Sequence, residues 1–304
     1  MSAAALLAID AVAAEVCNAF REQGVPVAVL KGAVLARELY DGDASRTYRD
    51  ADLLVPARSE RDAYACLREL RFVPAAGTGT TDPGVADEHQ WLRDGVIVEL
   101  HVSLIGVDLS AEQVWDALEG RMITGRVGGS DVLVLDRIGL ATHVALHAAQ
   151  HGVAWTKAID DLDRALARWS IETWRAAAAL AAELRASRAF ETGLRLRPRG
   201  REIADGLGLR HTPDVATALR ASSAPEAALG LHRMLGRAGM LGKLGHLMRS
   251  TFPSPAFMRW WSPLGRRGPL GLAAAYLYRP IWLALRAPSA LSTYLRARRK
   301  ARDA

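Results

Sequence analysis

Residues 46–55, Arg-Thr-Tyr-Arg-Asp-Ala-Asp-Leu-Leu-Val, narrow what this chain can fold into more than any other ten residues. Leu53, Leu54 and Val55 have strand composition, and Pro56 closes the run because proline cannot continue a sheet ladder. Side chains two apart on a strand project from one face. Asp50 and Asp52 therefore stand side by side at the mouth of the strand, where two carboxylates repel unless something neutralises them. A hard divalent cation does so: Mg²⁺ takes one or two carboxylates and fills its shell with water and substrate phosphates. A lone Asp-x-Asp also has a plainer and commoner reading, with Asp50 capping a turn and Asp52 at a strand edge.

The preceding segment supplies a second piece. Apolar residues at helical spacing (Leu6, Leu7, Val12, Val16, Phe20) predict a helix over 3–22, ended by Gly24. Val27–Leu30 then predict a short buried strand, followed by Lys31-Gly32-Ala33 and a helical pattern through Val34, Leu35, Leu39 and Tyr40. This is strand, glycine turn, helix. Gly32 allows close backbone approach, and the helix start offers free N–H groups to an anion. A plain strand-to-helix turn reads the same way. Asp41-Gly42-Asp43 predicts a loop, 58–71 another amphipathic helix, and 74–86 a loop rich in Gly, Thr, Ala and Pro.

A third piece is a hairpin. Residues 88–93 and 96–102 are strand-like and flank Asp94-Gly95, a strong turn signal. Ile97, Glu99 and His101 share one face of the second strand. Glu99 is either a solvent-facing residue of an edge strand or a third carboxylate, if its strand neighbours that of the Asp pair. The predicted fold class is α+β: a small mixed sheet with helices, followed by a helical bundle and a basic helical tail. The expected division is an α/β core over 1–136, a helical domain over 137–230 and a tail over 231–304.

From about residue 110 the pattern is mostly helical, with one more short strand at Asp131–Leu135. A helix over 137–151 carries His143, His147 and His151 on one face; they suit a helix interface or cleft, and less often a metal. Lys157, Asp160 and Asp161 follow, then Ala- and Arg-rich helices at about 172–188 and 214–220. Lys31 and Lys157 draw notice because the chain has only four lysines.

Charge is distributed unevenly. Residues 233–304 hold fourteen Lys and Arg against Asp303 alone, a net +13, which leaves −7 for residues 1–232 of a chain whose total is +6. The half with the Asp pair is thus acidic, which argues against a nucleic-acid partner. The tail, with Trp260, Trp261 and an apolar run broken by Arg279 and Pro280, suits peripheral contact of residues 255–304 with a membrane surface, or equally a helical lid with a solvated basic face. Cys17 and Cys66 lie in helical apolar patterns and read as buried thiols of a reducing compartment. The first ten residues lack a basic leader region, so no signal peptide is expected. The expected location is cytoplasmic, with the inner membrane surface as the alternative.

In order and spacing these pieces resemble the DNA polymerase β-like nucleotidyltransferase superfamily, and more closely a group of bacterial nucleotidyltransferases. The shared pattern stands here as Leu30-Lys31-Gly32, Leu39-Tyr40, Arg46, Asp50-Ala51-Asp52-Leu53-Leu54-Val55 and Glu99-Leu100-His101, with the His143/His147 helix leading to Asp161. It covers about residues 20–165. The resemblance implies that Asp50, Asp52 and Glu99 hold one or two Mg²⁺ ions, with Mn²⁺ as the alternative. These would orient a nucleoside triphosphate for in-line attack by an acceptor hydroxyl on the α-phosphate, with loss of pyrophosphate. It further implies phosphate binding at Gly32 and Ala33, countercharge from Lys31 or Arg46, and acceptor or nucleotide contacts from His101 and Lys157. Two departures stand out. Ala33 replaces the serine common at the phosphate turn, and the third acid is Glu99 where Asp is commoner. The expected function is a Mg²⁺-dependent nucleotidyltransferase acting on a small molecule, peptide or protein. The alternative is a non-catalytic, antitoxin-like descendant that works by binding a partner.

Overall fold

A computed structural model of the chain describes residues 2–41, 46–75, 88–209 and 239–302 and, between 210 and 238, residues 215, 218, 219, 222, 224 and 226–235. Most of the loop expected at 74–86, the Gly42-Asp43 turn and most of the helix expected at 214–220 lie outside the described residues. The chain divides into two compact units, one formed by residues 1–75, 80–150 and 155–210, the other by 76–79, 151–154 and 211–304.

The first unit is built on a seven-stranded mixed sheet in the order β3-β4-β5-β2-β1-β7-β6. In chain order its elements are α1 (Ala3–Glu22), β1 (Ala28–Val29), α2 (Ala33–Tyr40), β2 (Asp50–Leu54), α3 (Glu60–Glu69), β3 (Val73–Pro74), β4 (Glu88–Arg93), β5 (Val96–His101), α4 (Ala111–Glu119), β6 (Met122–Val127), β7 (Ser130–Leu135), α5 (Arg137–His151), α6 (Thr156–Arg168), α7 (Ile171–Glu183), α8 (Ser187–Arg195) and α9 (Pro198–Gly206). The α+β expectation holds. The sheet has two strands more than expected: Val73–Pro74 pairs antiparallel with β4 at one edge, and Met122–Val127 pairs antiparallel with β7 at the other. Gly128 and Gly129 both take positive φ, the two-residue turn that matches strand twist. Only one of the six β6 side chains, Val127, is buried, so this strand lacks the alternating pattern that marks a half-buried one.

Local chemistry sets the element ends. Ser2 caps α1 by accepting from the Ala5 N–H at 3.3 Å. At its other end Val25 N–H donates to Phe20 C=O and Gly24 adopts φ +72°, the glycine-terminated stop expected there. The buried stripe Leu6, Ile9, Ala13, Val16, Cys17 and Phe20 packs across β7, β2 and β5. Among the described residues α1 is the one helix long and apolar enough to cross a membrane, and that apolar face is spent on the core. Asp94 and Gly95 take φ +50° and +81° between β4 and β5, with Arg93 opposite Val96. The expected helix over 172–188 is instead α7 and α8, because Arg185 takes φ +53° and breaks the run. Both cysteines are free and buried, and burial pushes the Cys17 thiol up to about 12.

The second unit contains helices Glu226–Leu235, Gly239–Thr251, Pro255–Trp261 and Gly268–Arg302. The last continues through Pro280 and Pro288. Arg279 is not a solvated cation of the tail. It is buried, its Nε donates to the Ser250 carbonyl at 3.0 Å, and its guanidinium lies 4.9 and 4.7 Å from the ring centres of Phe257 and Trp261.

Candidate active site

The site follows from one pairing. β2 and β5 run parallel, with Asp52 opposite Glu99 and Leu54 opposite His101. Same-face alternation then gathers Asp50 and Asp52 from β2 with Glu99 and His101 from β5. β5 lies between β4 and β2, so Glu99 is not on an edge strand. His101 Nε2 stands 3.2 Å from Asp52 Oδ1 and 3.8 Å from Glu99 Oε2. The other Glu99 oxygen, Oε1, accepts from Gln90 Nε2, which β4 places directly opposite.

β1 brings the lysine. Leu30 N–H donates to the Asp52 carbonyl at 3.0 Å, so the chain leaves the sheet at Lys31 level with Asp52. Lys31 Nζ then lies 2.7 Å from Asp52 Oδ1, with side-chain exposures of 16% and 2%. Burial alone would neutralise both groups. For Asp52 that upward push is outweighed by the charges of Lys31 and His101 and by their hydrogen bonds, which hold its carboxyl well below the usual range. For Lys31 burial pulls down, but Asp52, Glu99 and Asp50 together leave its ammonium raised.

Asp50 sits in the same field with the opposite outcome. Burial and the Asp52 charge raise its carboxyl, against the pull of Lys31, Lys157 and His101. Lys157, in the first turn of α6, is lowered by burial and by Arg46, while Asp50, Asp161 and Asp52 oppose the shift. Lys31 thus touches the Asp pair, and Lys157 acts on it through charge. His143 of α5 belongs to this field too. Burial, then repulsion from Lys31, pushes its imidazole down to about 3, and neither ring nitrogen has a hydrogen-bond partner among the described residues. Its ring stacks on that of His147, with 5.9 Å between ring centres.

Gly32 and Arg46 form the frame behind. Gly32 has φ +64° and ψ −121°, a conformation open to glycine, and starts α2. Arg46 is buried: Nε and Nη2 donate to the two oxygens of Asp161 at 2.8 Å each, and Nη1 donates to the Gly32 carbonyl at 3.0 Å. Tyr40 adds an O–H donation to Asp161 Oδ1 at 2.9 Å. The guanidinium is therefore committed to holding the turn against α6, and its neighbour Ala33 opens the helix without a side-chain cap. Gly32→Ala is expected to cost about 1–3 kcal/mol in urea unfolding, from backbone strain alone. The added methyl itself meets Tyr48 at an ordinary 3.5 Å.

The donor set fits a divalent cation. Asp52, Glu99 and His101 each offer one ligand atom, and these lie within 4.8 Å of one another. Metal–ligand distances of about 2.0–2.2 Å put adjacent ligands roughly 3 Å apart and opposite ones about 4.4 Å apart. A cation held there would compete with the Lys31 ammonium for Asp52. Asp50 stands outside this three-atom group. Sequence reasoning missed Gln90 and the clamp role of Tyr40. A Gln at the residue opposite an acid across a two-residue hairpin was readable; the partner of Asp161, 115 residues away from Arg46, was not.

The family model for an uncharacterised nucleotidyltransferase matches residues 1–199. No curated protein matches. The solution structure of the antibiotic-resistance factor ANT(2'')-Ia is 16% identical over 57% of this chain and 90% of that one, with a TM-score of 0.42. The same protein in complex with adenylyl-2''-tobramycin gives 16% identity over 57% and 97%, again at 0.42. An antigenic nucleotidyltransferase-like protein from Paracoccidioides brasiliensis is 16% identical over 69% and 95%, at 0.37. Likenesses at these scores add nothing to the family match. That match spans the whole sheet, both lysines and every acid of the site, and the chain is a transferase belonging to this nucleotidyltransferase family.

Proposed function

We propose that this chain transfers a nucleoside monophosphate from a nucleoside triphosphate to a hydroxyl of a small molecule, peptide or protein, using a divalent cation. The observation that carries this reading is the register of β2 on β5, which sets Asp52 and Glu99 side by side with a lysine already on the buried carboxylate. A bond forms between the acceptor oxygen and the α-phosphorus, and the bond from that phosphorus to the β-phosphate oxygen breaks. Pyrophosphate leaves, and the hydroxyl proton passes to a carboxylate. Asp50, with its carboxyl raised by burial and by Asp52, is the proton acceptor in this reading. Asp52 and Glu99 would hold the cation, which when bound would supply charge neutralisation at the phosphates. Lys31, beside Asp52, would offer its ammonium to the triphosphate, and Lys157 of α6 would add a second positive charge. Gly32 lets the α2 start approach phosphate closely through N–H groups, which compensates for the hydroxyl that Ala33 lacks. Arg46 acts through the turn it holds.

Titration calorimetry with each of the four ribonucleoside triphosphates, with and without divalent metal, tests this. At least one triphosphate is expected to bind only with metal present, and Glu99→Gln is expected to weaken that binding by tenfold or more, in line with loss of a charged ligand. No binding by any triphosphate with metal, alongside capture of a protein partner, would favour the partner-binding alternative.

A further inference from the structure

We infer that His101 is itself a metal ligand through Nε2, and that the site therefore selects a first-row transition ion such as Mn²⁺ over Mg²⁺. The inference rests on the proposed metal reading of the Asp52–Glu99 pair and names the ion that this pair accepts. Three observations support it. The Nε2 spacings of 3.2 Å to Asp52 Oδ1 and 3.8 Å to Glu99 Oε2 are those of adjacent ligands before a cation draws them in. The carboxylate pattern alone would nominate Asp50 as the third ligand, yet the atoms that converge are those of Asp52, Glu99 and His101. Finally, Gln90 fixes the Glu99 carboxylate through Oε1, and Oε2 of the same group lies 3.8 Å from His101 Nε2.

The chemistry then decides the metal. Mg²⁺ favours an all-oxygen shell and keeps its waters, whereas first-row transition ions, with Mn²⁺ at the weak end of their affinity order, also take imidazole nitrogen. Two carboxylates and one imidazole on adjacent parallel strands make a mixed set that Mn²⁺ accepts and Mg²⁺ accepts poorly. The competing account is that His101 only donates a hydrogen bond to Asp52 and never touches a metal. The two accounts part at the ring nitrogen.

The experiment uses the full chain and metal alone, with no nucleotide, so that no base nitrogen confuses the readout. Mn²⁺ below one equivalent is added and the electron spin-echo modulation from ¹⁴N is recorded. In parallel, Mn²⁺ and Mg²⁺ are titrated by calorimetry into wild type, His101→Asn, His101→Asp and Asp52→Asn. The expected result is ¹⁴N modulation in wild type, lost in His101→Asn. Mn²⁺ should bind wild type at least about tenfold tighter than Mg²⁺, and the all-oxygen set of His101→Asp should shrink that ratio by raising Mg²⁺ affinity. Unchanged circular dichroism confirms that each variant folds. Mn²⁺ bound without ¹⁴N modulation, and lost in Asp52→Asn, would overturn the His101 assignment while leaving the carboxylate site standing. Failure of wild type to bind either ion would overturn both.

Discussion

Asp52→Asn is expected to leave a folded protein whose metal-supported nucleotidyl transfer falls by roughly 10³-fold, about 4 kcal/mol of lost charge stabilisation. Asp52 is buried, and its Oδ1 receives both Lys31 and His101. Asparagine keeps the volume and one accepting oxygen but removes the charge that a cation and the lysine both need. Single-turnover transfer and metal titration read the effect, and retained turnover with unchanged metal dependence would remove Asp52 from the machinery. A pH signature accompanies it. The folded carboxyl is held below its ordinary value of 3.8, so the stability it contributes is present above about pH 4 and is lost as pH falls through the lowered folded value. Thermal unfolding between pH 6 and pH 3 should therefore show a smaller acid-induced loss in the variant than in wild type.

Arg46→Met is expected to destabilise the first unit by about 3–5 kcal/mol, because it strands the Asp161 carboxylate in the interior. Both side chains are only 1% exposed, so solvent does little to soften the loss. What remains for Asp161 among its described bonds is the Tyr40 hydroxyl. The variant also frees the Gly32 carbonyl and with it the turn at the start of α2. Urea unfolding tests the magnitude. The double change Arg46→Met with Asp161→Leu should recover much of the stability, since no uncompensated charge is left, while triphosphate binding should stay weak because the turn is still unheld. Equal stability of Arg46→Met and wild type would show that the pair is replaceable by water.

The local signals in this sequence were strong where the physics is local. The Asp94-Gly95 hairpin, the Gly24 helix stop and the Gly32 turn each rest on a backbone dihedral that one or two residues dictate. The strand at Asp50 and the helix over 137–151 follow from patterns within a single element. The edge strand Met122–Val127 was not legible in the same way. Its side chains are largely exposed, so hydropathy carries no alternation, and only the paired glycines at 128 and 129 mark it. The break at Arg185 inside an Ala-rich run was hidden because a non-glycine residue with positive φ leaves no compositional trace.

By itself, then, the sequence determined the elements, the acidic character of the first 232 residues and the order of lysine, glycine, paired acids and third acid along the chain. Which of those acids converge was decided only by tertiary structure. Pairing Asp52 with Glu99 requires β5 to lie parallel to β2, 47 residues on, and a slip of one residue would turn Glu99 to the opposite face. The same register put His101 beside Asp52 and Glu99 where Asp50 had been expected, while the bond from Leu30 to the Asp52 carbonyl set Lys31 on Asp52. Arg46 reads as a free countercharge in one dimension. In three it is consumed by Asp161 and the Gly32 carbonyl, because a buried guanidinium is stable only where oxygens replace the water it has lost.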